Sequence, residues 1–433
     1  MSFKALSTIV LSGLFCLLVS LPARSDSRAR IVRLSYMEGD VSIDRGTGQY
    51  EKAMVNLPIT EGARLRTGDG RAEVEFEDGS TIRLAPRGAL EFPQLALRDS
   101  GEKVSSVELA KGTAYVNFAG TKNVELTIQF GRENVVLARS AHLRVSVNDP
   151  RAAVAVFKGD IEVNGPSGSL EVRKNQTANL DLSDEARTEV AKKIEPLDLD
   201  SWDKEQDQYH SRYSSKVGSY SPYSYGGSDL AYYGNFFSVP GYGTMWQPYF
   251  AGVGWDPFMD GSWVFNPGWG YGWVSAYPWG WTPYHYGNWV FLSGYGWAWQ
   301  PGGLWTPWYT QPRLVNSPSG FVVPRAPASG TNTLVVNRGP ASAVAGQKLV
   351  IRNNSAGLGV PRGDGNNLAG LSQKVEKHGV AAAPINVRPV AEPGLARSEN
   401  VHGSFSRQTG ERMGSASAPA PPAHTSAPSQ PHR

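Results

Sequence analysis

Between residues 30 and 182, apolar and polar residues alternate over stretches of about four to eight positions, the period of a strand with one buried face. Ala72, Val74 and Phe76 share one side and Arg71, Glu73 and Glu75 the other; Asp78-Gly79 supplies a tight turn, and residues 81–84 begin the return strand. The same logic pairs residues 154–157 with 161–163 across Lys158-Gly159-Asp160. Further strands are predicted at 31–36, 41–43, 89–92, 106–109, 114–118, 124–129, 134–137, 142–147, 170–172 and 176–180. On this pattern Glu73, Glu75, Glu77 and Asp78, the most acidic cluster, belong to a solvent-facing side and its turn. Gly-x-apolar-x-apolar stretches recur at Gly39, Gly112 and Gly159. Each begins a strand after a turn, which predicts stacked β-layers in a sandwich or short solenoid.

Past residue 182 the period changes. Residues 184–193 hold good helix formers behind an Asp, so a short helix is expected before Pro196, and a second polar helix over 199–213. The Ser, Tyr and Gly of 214–228 read as a linker. From Tyr233 the chain becomes aromatic: of 13 tryptophans, 12 lie between Trp246 and Trp308. Asn235-Phe236, Ser262-Trp263 and Asn288-Trp289 each follow a Gly at steps of 27 and 26 residues, and Trp246, Trp273 and Trp299 keep both steps. Trp255-Asp256-Pro257 matches Trp281-Thr282-Pro283. Three copies of a strand, turn, strand and Trp-x-Pro exit are therefore present, and repeats of fixed period bury their apolar faces on one another. The expected form is an aromatic β-meander.

The first region resembles the periplasmic domain of the FecR family. The resemblance rests on Gly39-Asp40-Val41, on residues 64–72 (RLRTGDGRA), 76–84 (FEDGSTIRL) and 107–112 (VELAKG), and on 154–163 (VAVFKGDIEV). It implies that domain's fold. The family's named member relays a ferric-citrate signal across the inner membrane to a sigma factor, a role needing a cytoplasmic segment and a spanning helix; only the fold is carried over. The second region looks like a Trp/Tyr-rich repeat family of unknown function often found after FecR-like domains in exported bacterial proteins. That likeness rests on residues 229–234 (DLAYYG), 242–248 (YGTMWQP) and above all 278–289 (PWGWTPYHYGNW).

The expected fold class is all-β: a FecR-like stacked β-sandwich or short β-solenoid domain over 30–182, a helical and polar linker over 183–228, an aromatic-rich antiparallel β-repeat domain over 229–311, and a mostly disordered tail over 312–433. The tail is rich in Pro, Ala, Ser and Gly and cannot bury enough apolar area to offset chain entropy. Two short apolar stretches in it, 334–336 and 349–351, are expected to dock on the repeat domain as a hairpin, and Arg362-Gly363-Asp364 reads as a turn.

Composition adds a compartment. Lys4, the apolar run from 5 to 21, Pro22 and Ala23-Arg24-Ser25 have the grammar of a secretory signal peptide over 1–25 with cleavage after Ser25. An uncleaved anchor is the competing reading, disfavoured because Pro22 ends the helix and a processing site follows. Cys16 is the only cysteine, so the mature chain would carry no disulfide, thiolate nucleophile or cysteine metal site. No later stretch has the apolar length of a membrane span. The formal charge of +3 is uneven: residues 217–311 contain only Asp229, Asp256 and Asp260, while 313–433 hold 13 Lys and Arg against 5 Asp and Glu. An aromatic region with no cation to neutralise phosphate disfavours nucleic acid.

No Gly-x-Ser-x-Gly elbow or phosphate loop occurs, the seven histidines are scattered, and no paired carboxylates are identified. No catalytic residue, metal site or cofactor is expected. The candidate binding residues are Trp255, Trp273, Trp281, Tyr284, His285, Tyr286, Trp289 and Trp299, for so many rings in so short a unit should leave a partly exposed ladder suited to sugar faces, with Asp256, Asp260, Asn288 and Gln300 as hydroxyl partners. The expected function is that of a non-enzymatic exported envelope protein, in the periplasm or on the outer surface, that binds or scaffolds, with an envelope polysaccharide or a protein as partner. The alternatives are a periplasmic sensor or regulator with a separate membrane partner, and a hydrolase.

Overall fold

The computed structural model describes residues 30, 32–183, 188–214, 217, 225–266, 270–303, 311–328, 333–363 and 367–384. The expected signal peptide, most of the 214–228 linker, Trp305, Trp308 and the tail from 385 lie outside the described residues.

Alternation produces strands where it predicts them. The first region forms β1 (Arg33–Glu38), β2 (Val41–Asp44), β3 (Glu51–Lys52), β4 (Arg64–Thr67), β5 (Arg71–Glu75), β6 (Thr81–Leu84), β7 (Ala89–Leu97) and β8 (Lys103–Phe118). It continues with β9 (Val124–Phe130), β10 (Glu133–Leu137), β11 (Ala141–Asn148), β12 (Arg151–Lys158), β13 (Ile161–Gly165), β14 (Gly168–Val172), β15 (Thr177–Asp181) and β16 (Thr188–Ala191). These make two sheets that share β8. One runs β1-β5-β6-β8-β11-β12-β15-β16, and the other β3-β2-β4-β7-β8-β9-β10-β13-β14. Their apolar faces meet in one core that includes Leu34, Val74, Ile82, Val116, Leu143 and Val154.

The two stretches predicted as separate strands at 106–109 and 114–118 are one, β8, which changes sheet at Gly112. The Gly-x-apolar repeats mark these corners. At Gly39 the chain passes from β1 to β2, and at Gly159 from β12 to β13, in each case from the first sheet to the second. All three glycines have positive φ (72°, 89° and 81°). A Cβ on Gly112 would lie 2.6 Å from Gly88 Cα, so any side chain would force the corner open. The predicted hairpin between 154–157 and 161–163 is corrected accordingly: β12 pairs with β11 and β15, and β13 with β10 and β14. The helix expected at 184–193 is also corrected. Residues 188–191 are strand β16, whose backbone pairs with the open edge of β15, a tertiary gain that outweighs local helix propensity.

The predicted second helix is present as α1 (Asp200–Tyr213), and α2 (Gly227–Tyr233) follows it. Each aromatic repeat is a hairpin: β17 (Gly234–Val239) with β18 (Gly243–Pro248), β19 (Asp260–Asn266) with β20 (Gly270–Ser275), and, after the short α3 (Thr282–His285), β21 (Asn288–Leu292) with β22 (Gly296–Gln300). The repeated residues are cross-strand partners: Phe236 faces Trp246, Trp263 faces Trp273, and Trp289 faces Trp299. The single meander is not what forms. Hairpins one and three join through Trp246 and Trp299, with β23 (Arg313–Val315) beside β21; hairpin two forms its own sheet with β24 (Leu334–Asn337).

The expected tail begins with ordered chain. Besides β23 and β24, residues up to 384 form β25 (Ala343–Ala345), β26 (Lys348–Arg352), α4 (Leu368–His378) and β27 (Val380–Pro384). The apolar stretch at 334–336 does dock on hairpin two, but 349–351 pairs with β25 and β27 in a separate sheet. Leu349, Ile351, Leu358 and Val375 share a cluster with Trp246, Trp279 and Trp289, so this segment buries its apolar area against the repeats. Among the described residues no helix is long and apolar enough to cross a membrane.

Candidate functional site

The polar side of the first sheet is not a solvent face. Register aligns Arg33, Glu75, Thr81, Asn117 and His142 in one row, and Tyr36, Glu73, Arg83, Tyr115 and Arg144 in the next. Helices α1 and α2 and Arg362 lie against these rows. Glu73 is 0% exposed, Glu75 4% and Glu77 8%, which corrects the solvent-facing assignment. Alternation identified the polar side correctly, but the cover comes from distant residues.

Glu73 is the centre of the junction. It accepts from Arg83 Nε (2.8 Å), Arg362 Nη1 (2.7 Å) and Ser35 Oγ (2.7 Å), and lies 3.1 Å from His210 Nε2. Burial alone would raise its carboxyl; His210, Arg362 and Arg83 instead hold it well below the usual carboxylate range. Arg33 Nη2 binds Glu75 and Asp229, both at 2.6 Å, and Arg362 Nη2 also reaches Asp229, at 3.1 Å. Arg83 Nη1 donates to Asp203 Oδ1 (2.6 Å) and Asp207 Oδ1 (2.7 Å), both on α1. The Arg362 guanidinium sits over Tyr36 and Tyr209, 5.3 and 5.0 Å from their ring centres. Arg362 and Gly363 do form the predicted turn, with the Arg362 side chain buried; Asp364 lies outside the described residues. At the other end Asn56 Nδ2 donates to the carbonyls of Ser275 (3.0 Å) and Tyr277 (2.8 Å), tying the sandwich to hairpin two.

The eight candidate aromatic-region residues are brought together, but as a core. Trp255, Trp273, Trp281, Tyr284, His285, Tyr286, Trp289 and Trp299 are all buried, none more than 7% exposed. A sugar cannot stack on a ring whose faces are taken by protein, so the exposed ladder of these residues is corrected. Trp255 packs edge-on to Trp279 and Trp289, and Trp246 edge-on to Trp299. Trp299 Nε1 donates to Tyr286 O (2.6 Å), and Trp255 Nε1 to Tyr277 Oη (2.9 Å). His285 lies 4.4 Å from the Trp281 ring; burial, helped by Arg33, pushes its imidazole down to about 3, so it is neutral at ordinary pH. Of the expected hydroxyl partners, Asp260 is buried and accepts from Tyr277 Oη (3.0 Å), and burial raises its carboxyl to about 6. Asp256 accepts from Phe258 N at 2.8 Å.

Among the described residues, two rings at the repeat tips are exposed. Tyr242 and Tyr295, each just before the glycine that starts a return strand, are 37% and 55% exposed. With Trp269 they keep the 27- and 26-residue steps; Trp269 lies outside the described residues. Hairpins one and three hold each other's tips reciprocally: Gln247 Nε2 donates to Tyr295 O, and Gln300 Nε2 to Tyr242 O, both at 2.7 Å. Tyr295 stacks on Phe237 at 5.7 Å, and Asn316 Nδ2 donates to Tyr242 Oη. Sequence reasoning missed these two tyrosines because it weighted tryptophan density; their repeat period was the available signal.

The family model described as "FecR protein" matches residues 63–162, and that of a "Family of unknown function (DUF6600)" matches 227–328. The chain carries a FecR domain followed by a DUF6600 domain. The sandwich extends beyond the FecR match at both ends, and the aromatic core of the DUF6600 domain takes in residues up to Ala381 beyond its own match. Two crystal structures of a candidate anti-sigma factor from Parabacteroides distasonis ATCC 8503 are similar to the chain at 17% identity, with TM-scores of 0.27 and 0.26. Each similarity covers 30% of this chain, which spans 59% and 58% of the length of those structures. Comparison with curated proteins returns no match.

Proposed function

We propose that the chain is a non-enzymatic protein of the bacterial envelope, exported by the signal peptide read at 1–25, whose joined FecR and DUF6600 domains bind or scaffold an uncharged surface or cell-wall polysaccharide. The observation that carries the reading is the pair of exposed tyrosines, Tyr242 and Tyr295, held at repeat tips by mirrored glutamine contacts. Because β18 and β22 pair antiparallel, the two rings stand at opposite ends of the sheet and would give an extended ligand two separate points of contact. The segment around them, 217–311, has no Lys or Arg and three Asp, of which Asp229 and Asp260 are buried, so a neutral ligand suits it better than an anionic one. The test incubates the purified full chain with cell-wall and polysaccharide fractions beside a Tyr242→Ala/Tyr295→Ala variant. Retention by the parent and its loss in the folded variant are expected. No retention by the parent, or equal retention by both, refutes the reading.

The FecR match favours a second reading, a regulator that works through a separate membrane protein. It predicts that the chain co-purifies with an inner-membrane partner and that glycan fractions do not compete for it.

A further inference from the structure

The buried junction is short of positive charge. Among the groups paired there, the carboxylates Glu73, Glu75, Asp203, Asp207 and Asp229 outnumber the guanidiniums Arg33, Arg83 and Arg362, with the His210 imidazole also beside Glu73. A divalent cation at the edge of the junction would offset that excess of carboxylate. Burying uncompensated charge is costly.

The side chains at one edge of the junction are arranged to hold such a cation. Asp203 and Asp207 are one helical turn apart on α1 and point at His142 of β11. Both Oδ1 atoms are engaged, by Arg83 Nη1 and, for Asp207, also by Asn117 Nδ2 at 2.7 Å. Both Oδ2 atoms turn to the imidazole instead: Asp203 Oδ2 lies 2.8 Å from Nε2 and Asp207 Oδ2 3.4 Å from Nδ1. Despite that short contact, the buried His142 Nε2 makes no hydrogen bond. One ligand atom from each of the three residues lies within 4.8 Å of the other two. Their side chains are 15% (His142), 3% (Asp203) and 22% (Asp207) exposed, so the group is largely dry yet reachable from solvent.

We infer that His142, Asp203 and Asp207 form a divalent-metal site that clamps α1 to the FecR sandwich. One nitrogen and two carboxylate oxygens suit a borderline ion of the zinc type, with water completing its shell. Asn117 and Arg83 hold the outer oxygens and so aim both carboxylates at the metal position. Such a clamp would form with or without a bound polysaccharide.

The test strips the purified full chain with a chelator and titrates it with Zn²⁺ by calorimetry and thermal unfolding. One bound equivalent and a raised unfolding temperature are expected, with binding abolished in His142→Ala and in Asp207→Asn. Asn117→Ala, which leaves all three ligands in place, should weaken binding about 10-fold, and it serves alongside Asp207→Asn if His142→Ala fails to fold. Absence of binding by the folded parent overturns the site, as does undiminished binding in the folded ligand variants.

Discussion

The FecR domain meets its neighbours through charge, whereas the DUF6600 domain is built inward from rings. On the sandwich's outer face, Arg33, Glu73 and Arg83 are as buried as any core residue, and each is matched by opposite charges from α1, α2 or Arg362. In the repeat domain Trp246, Trp289 and Trp299 are equally buried, and their neighbours are other rings and backbone carbonyls. Dispersion and apolar burial are tolerant of direction and of pH; a buried ion pair depends on every partner being present and correctly protonated. One molecule thus holds two interiors that should fail for different reasons.

The largest effects should come from removing one partner from either interior. Glu73→Ala leaves Arg83 and Arg362 facing each other without their shared carboxylate, and we expect a loss of about 3–5 kcal/mol in denaturant unfolding. Trp299→Ala should cost a similar ~3–5 kcal/mol by opening a cavity. The two are separated by pH. Because the folded state holds Glu73 below its ordinary range, its contribution is complete above the unfolded carboxylate value and disappears as pH falls through the folded one. The parent should therefore lose stability in acid more steeply than Glu73→Gln, while Trp299→Ala should run parallel to the parent. Equal slopes for parent and Glu73→Gln would refute the charged account of the junction.

Asp260 sharpens the contrast, since it is a carboxyl placed in the aromatic interior without a cation of its own. Its folded value of about 6 lies above the ordinary one, so the sign reverses: its contribution is complete at low pH and is lost as pH rises through about 6. Asp260→Asn should be more stable than the parent at pH above this range, by up to about 3 kcal/mol, and the advantage should vanish in acid. Thermal unfolding at two pH values measures it, and a destabilised variant at high pH would contradict the assignment. The smallest effect belongs to the tips: Tyr242→Ala and Tyr295→Ala should shift stability by no more than about 0.5 kcal/mol, whatever they do to binding.

Much of this was legible in the chain. Alternation located the strands of the sandwich because a two-residue period with one apolar face has few other solutions. The 27- and 26-residue steps located three strand-turn-strand copies, and the structure shows that the recurring aromatics face one another across each hairpin. The site was less legible. Period shows which side of a strand is polar, but not whether water or another element meets it, so Glu73 looked exposed and the rings looked in excess. Density of tryptophan predicted spare rings because the 343–384 segment, which supplies part of their cover, read as tail.

By itself the sequence determined most of the local elements, the repeat and the order of the two domains, since these follow from periodicities and turn residues within short windows. Only the tertiary structure decided that Arg362 completes a carboxylate cluster begun at Glu73, that β12 and β13 belong to different sheets, and that Asp203 and Asp207 meet His142. Those outcomes depend on pairings between residues tens to hundreds of positions apart. Compensation of charge and closure of a core are properties of the assembled surfaces, and no local pattern encodes which distant surface will arrive.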